Sequence, residues 1–130
     1  MTGMRRALAL WAGAILLLMS SGCGADGHPQ PADSAQARVA LRAALDSWKA
    51  GQKPEDLARQ SPAIHVKDVD WDGGFRLVAY RADADGRLVG YDMNYPVVLE
   101  LKSPKGAAVT KNAVYTVTTR TEVFISRQEG

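Results

Sequence analysis

Val89-Gly90-Tyr91-Asp92-Met93-Asn94-Tyr95-Pro96-Val97-Val98-Leu99-Glu100-Leu101 is the longest regular pattern in the chain. Val89, Tyr91, Met93, Tyr95, Val97, Leu99 and Leu101 alternate with Gly90, Asp92, Asn94, Pro96, Val98 and Glu100. Successive side chains leave a strand on opposite sides, so this period of two predicts one long strand with a single buried face. Half-burial of that kind belongs to antiparallel sheets. Pro96 has no N–H for a ladder, which places the strand at a sheet edge or bulges it there.

The strand pattern extends both ways. Downstream, Ser103-Pro104-Lys105-Gly106 turns the chain, and Val109, Ala113, Tyr115 and Val117 alternate again, with Lys111 interrupting the apolar side. Residues 123–125 are a last short strand or the end of that one. Upstream, Asp83-Ala84-Asp85-Gly86 is a hairpin signal and residues 75–81 form the strand before it. Asp72-Gly73-Gly74 makes a turn after a short strand over residues 64–69.

Before the strands the apolar period changes to that of a helix. Ala37, Leu41, Ala44, Leu45 and Trp48 share one helical face, Asp33 with Gln36 fits a capping box, and Gly51 is a stop. A helix over residues 34–50 follows, and its Leu/Trp stripe is the seam that docks on the sheet. Pro54 with Glu55 and Asp56 opens a second, shorter helix.

One helix, a helical turn and about four strands make an α+β domain over residues 34–130, with the helix across a curved antiparallel sheet. This element order resembles the cystatin-like and NTF2-like folds. Trp48-Lys49-Ala50-Gly51, followed by Asp70-Trp71-x-x-Gly74-x-x-Leu77-x-x-Tyr80, also resembles a set of small bacterial envelope proteins, which implies no particular activity.

The first residues read differently. Arg5 and Arg6 precede an uncharged apolar run over residues 7–19, then Ser20-Ser21-Gly22-Cys23. This is the layout of a secretory signal over residues 1–22, too short for a permanent span, which needs roughly 20 apolar residues. The polar, proline-bearing residues 23–33, with His28, form a flexible linker. Cys23 is the only cysteine, so no internal disulfide forms. Ser21-Gly22-Cys23 resembles the lipobox of bacterial lipoproteins, which implies acylation of Cys23 and a membrane-anchored protein of the cell envelope. Ser20 departs from that pattern, and ordinary signal cleavage into the periplasm or medium is the alternative.

Removal of the signal takes away Arg5 and Arg6 and no acid. The 16 Lys and Arg then fall to 14, equal to the 14 Asp and Glu. Scattered basic residues and zero net charge set nucleic-acid binding aside. A possible envelope protein partner is expected instead.

The densest acidic cluster is Asp68-Val69-Asp70-Trp71-Asp72-Gly73. It matches the first half of an EF-hand loop, but Arg76 falls at the ninth position and Ala79 at the twelfth, where a bidentate Glu is needed. No metal and no cofactor are expected. The preferred reading is a polar turn that water screens, with no strong pKa shift. His65 with Asp68 or Asp70 is the His/Asp grouping nearest to a base with an orienting partner, yet alternation points His65 away from Ile64 and Val66. Trp71 is read as a plug between turn and helix. Tyr91, Met93 and Tyr95 on one face are core under the helix, or, in the alternative, the lining of an NTF2-like cup with a small-ligand or hydrolytic site near His65, Asp68 and Asp70. The expected function is a non-catalytic binding or accessory module, with Asp68, Asp70, Trp71, Asp72, Tyr91 and Tyr95 as candidate binding residues.

Overall fold

A computed structural model describes residues 30–83 and 85–128. The signal and most of the linker, including Cys23, lie outside the described residues. Among the described residues three helices, α1 (Ser34–Lys49), α2 (Pro54–Ala58) and α3 (Val69–Asp72), accompany six strands. The strands are β1 (Ile64–Lys67), β2 (Arg76–Arg81), β3 (Arg87–Val89), β4 (Asp92–Lys102), β5 (Ala108–Thr118) and β6 (Val123–Arg127).

Asp33 caps α1 as expected, but the other half of the capping box does not form, because the Asp33 N–H donates to Thr119 Oγ1 at 3.0 Å. The Gln36 N–H donates to Asp33 Oδ1 at 3.0 Å, and Gly51 at φ 87° follows the last turn of α1. Ala37, Leu41, Ala44, Leu45 and Trp48 are all buried. Against them lie Leu77, Tyr95, Val97, Leu99, Leu101, Tyr115, Val117 and Ile125 from the concave face of the sheet. Full burial of one such large side chain contributes roughly 1.5–3 kcal/mol, so this seam is the main apolar stabilisation of the domain.

The α+β class holds, but the sheet is not purely antiparallel and has more than about four strands. Its order is β1-β6-β5-β4-β2, with β3 pairing β4 beyond β2. β1 runs parallel to β6, with Ile64 opposite Val123 and Lys67 opposite Ser126, while every other pair is antiparallel. The sheet is therefore mixed, and it curls round α1.

The stretch 89–101 is also not one strand. Gly90, at φ 65°, opens a two-residue turn between β3 and β4. Such a turn reverses the phase: Leu88 pairs with Met93, whereas Val89 pairs with Asp92 and so lies on the other face. Alternation in the letters continued by coincidence through a reversal of the chain.

Pro96 sits in a central strand, not at an edge. The Val114 carbonyl accepts from the Gln128 N–H at 2.8 Å, so Val114 turns its polar backbone towards β6. Its cross-strand partner Pro96 must then turn its own backbone away from β5. On that side β2 reaches only to Val98 and β3 only to Asn94, leaving a gap opposite Pro96. The missing donor faces that gap. The bulge is in β2, between Leu77 and Ala79.

Candidate functional site

The acidic stretch folds into the single turn of α3. Asp68 caps it, its Oδ1 accepting from the N–H groups of Asp70 at 2.9 Å and Trp71 at 3.2 Å. Phe75 N–H closes the turn on the Asp70 carbonyl at 2.9 Å. This geometry sends Asp70 and Trp71 inwards and leaves Asp72 exposed. Trp71 stacks on Trp48 with ring centroids 5.3 Å apart and planes 7° from parallel. Both indoles are satisfied, Trp71 Nε1 donating to the Gln52 carbonyl at 3.0 Å and Trp48 Nε1 to that of Phe75 at 2.9 Å. Trp71 is thus the expected plug between turn and helix.

The two carboxylates are not a water-screened turn. The Asp68 side chain is fully buried and that of Asp70 is 8% exposed. Their partners come from the inward register of β5 and β6. Lys111 precedes Ala113, Tyr115 and Val117 on that face, and Arg127 follows Val123 and Ile125. Arg127 Nη1 donates to Asp68 Oδ1 at 3.0 Å and to Asp70 Oδ2 at 2.6 Å. Lys111 Nζ donates to Asp70 Oδ2 at 2.9 Å and lies 5.1 Å from the Phe75 ring centre. The Tyr115 hydroxyl donates to Asp68 Oδ2. Two acids meet two bases and a phenol, with no net charge left over.

The environment moves the ionisation of these groups. Burial pushes the Asp70 carboxyl up, but hydrogen bonds and charge from Lys111 and Arg127 outweigh it, and its pKa lies below the ordinary value. Burial pushes Tyr115 up, and the Asp68 carboxylate pushes it further. Burial lowers Arg127, yet the hydrogen bond to Asp70 and both carboxylates leave it raised. The expectation of a water-screened turn fails because Asp68 and Asp70 are buried against cations from β5 and β6.

This arrangement is a clasp. It fixes the segment before β2 to the ends of two distant strands, and its lone pairs already face cations. Among the described residues no group of three His, Cys, Asp or Glu is placed to hold a metal. Lys111 and Arg127 also border an open groove with Lys67, Val69, Asp72 and Gln128.

The other candidate residues are scattered. His65 leaves the opposite face of β1, where Nε2 lies 2.6 Å from Glu122 Oε1 and the ring stacks on Phe124 at 4.7 Å. Tyr95 is core, its hydroxyl donating to the Ser34 carbonyl at 3.1 Å. Tyr91 belongs to the β3–β4 turn and is 45% exposed, so it does not share a wall with Tyr95. Arg127 and Tyr115 were not among the expected site residues. A signal for Lys111 and Arg127 was present: each is a cation on the apolar register of its strand and needs an anion opposite.

Among the described residues no helix is long and apolar enough to cross a membrane. Comparison with protein-family models, with curated proteins and with solved structures finds no match to this chain.

Proposed function

We propose that the chain is an exported protein of the bacterial cell envelope, anchored through acylated Cys23, whose folded domain is a non-catalytic binding or accessory module of the cystatin-like or NTF2-like kind. The observation that carries the second part is the filled concave face. Leu41, Leu45 and Trp48 occupy the place where a ligand cup would open, against Leu99 and Tyr115. The acids that an active site would draw on are paired with Arg127 and Lys111, and His65 lies on the far side of the sheet. A partner then meets the outer surface. The anchor is supported by the basic start, the short apolar run and the small residues before Cys23.

Fractionation of cells expressing the full chain tests the anchor. The wild type is expected in membranes with an acylated Cys23 at its mature N-terminus, and Cys23→Ala in the soluble fraction. A soluble wild type that begins at another residue overturns it. Native mass spectrometry tests the module. A small molecule retained at the helix–sheet seam would move the reading to a ligand cup.

A further inference from the structure

Seven large apolar side chains are exposed in the described residues, and four of them, Val39, Val69, Val78 and Phe124, stand apart in sequence. Isolated cases of this kind are ordinary. The remaining three are Leu88 at 54%, Val89 at 51% and Tyr91 at 45%, all within one hairpin tip. Every residue of β3 is exposed, so the core does not account for its apolar content. Leu88 and Val89 are neighbours in β3 and so leave opposite faces of the ribbon, which makes the tip apolar on both sides.

Two arginines flank it. Arg87 opens β3, and the Arg120 guanidinium lies 5.8 Å from the centre of the Tyr91 ring. Among the described residues neither is within ion-pair distance of a carboxylate. Asp92 accepts instead from Thr118 Oγ1 at 2.8 Å, and Asp85 from Arg38 at 3.2 Å. Apolar groups and a tyrosine beside arginines suit the boundary between acyl chains and phosphates.

The N-terminal segment joins the domain at this same tip. Ala32 N–H donates to the Tyr91 carbonyl at 2.9 Å, and Asp33 N–H to Thr119 Oγ1 at 3.0 Å. The nine steps from Cys23 to Ala32 span at most about 32 Å. That is about one diameter of a domain this size. A lipid on Cys23 would therefore hold the tip close to the bilayer, and would convert a weak contact into an intramolecular one.

We propose that the β3–β4 tip, Leu88, Val89 and Tyr91 with Arg87 and Arg120, is a lipid-contact surface that seats the domain on the bilayer that anchors it. The inference rests on the anchored reading. The lipid on Cys23 supplies the anchorage, and this surface sets how the domain sits on the bilayer. The opposite end of the domain, at the β4–β5 turn, then faces away from the membrane.

The test uses the full chain, purified from membranes and reconstituted into vesicles of phosphatidylethanolamine and phosphatidylglycerol. An environment-sensitive fluorescent residue replaces Leu88 in one preparation and Val78 in another. Val78 is equally exposed but lies about 23 Å further along β4, taking seven residues of strand rise. Lipids spin-labelled near the headgroup should quench the probe at 88 severalfold more than at 78. Arg120→Glu should lower the quenching at 88, and Arg120→Lys should keep it. Equal quenching at the two positions overturns the proposal, as does a blue-shifted but unquenched probe at 88, which would place a protein there. Flotation separates the two readings. A chain that floats with vesicles while position 88 stays unquenched overturns the docking alone, whereas a wild type that floats no better than Cys23→Ala overturns the anchor.

Discussion

Replacing Arg127 by Met keeps most of the stem and removes the guanidinium that joins Asp68 to Asp70. Two charge-assisted hydrogen bonds, of 3.0 and 2.6 Å, are lost. Asp68 keeps the Tyr115 hydroxyl and two backbone donors, and Asp70 keeps Lys111, but the site now holds one uncompensated negative charge. Breaking a buried pair by removing one partner costs about 3–5 kcal/mol. The surviving partners put this case near the lower end, about 3 kcal/mol. Set against a total of about 5–15 kcal/mol, that is a large share of the stability. With a urea slope of about 1–1.5 kcal/mol/M, the unfolding midpoint should fall by about 2–3 M, with the slope unchanged.

The sign of the pH dependence follows from Asp70. Its folded pKa is below the ordinary 3.8, so its contribution is present above that value and is lost as pH falls through the lowered one. In the variant the lowering is smaller, so acid costs the variant less. The stability gap between wild type and Arg127→Met should therefore be full near neutrality and narrow on acidification below the ordinary carboxylate value. Equilibrium urea melts across that range measure it. A loss under about 1 kcal/mol, the worth of a surface ion pair, or a gap that stays constant in acid, would refute the clasp.

Two further outcomes are expected. The Asp68 and Asp70 carboxylates already face cations, so calorimetry should show no saturable micromolar calcium isotherm, and one that disappeared in Asp70→Asn would show the site opening to metal. Tyr80 donates to Asp46 Oδ1 at 2.8 Å, and burial together with that carboxylate pushes its pKa up to about 12. Its folded pKa is raised above the unfolded 10, so its contribution is present below pH 10 and fades as pH rises towards 12. Tyr80→Phe should lose less stability than wild type over that window, and an identical alkaline decline in both would remove Tyr80 from the account.

Local signals carried the sequence reading far. Asp33, Gly51, Pro54 and the helical stripe ending at Trp48 act through contacts within a few residues, and each is found where the pattern placed it. Non-local pairing was the part that failed. Nothing near Ile64 indicates that it lies beside Val123, and a short strand gives no sign of parallel or antiparallel pairing. Val89 and Tyr91 continued the alternation of Met93 because a two-residue turn leaves letters in step while faces change. The acidic stretch was misjudged for the same reason. Its solvent exposure depended on Lys111 and Arg127, more than forty and fifty residues away. Lys111 was visible as a cation in an apolar row, and treating it as half of a buried pair would have pointed to Asp70.

β1 finds its ladder partner in β6, the latest of the described strands, and has no other. A chain emerging from its N-terminus holds α1, α2 and β1 long before Val123 exists to pair with Ile64. Closing so long a loop is entropically costly and slows folding. The Asp68–Arg127 bond spans the same joint, so strand closure and burial of the acids form one late event rather than two. Any fragment that stops short of β6 leaves two carboxylates without their guanidinium and a strand without hydrogen-bond partners. The antiparallel strands β2 to β5 can pair without β6, so the last residues of the chain act as the closing joint of a sheet already largely laid down.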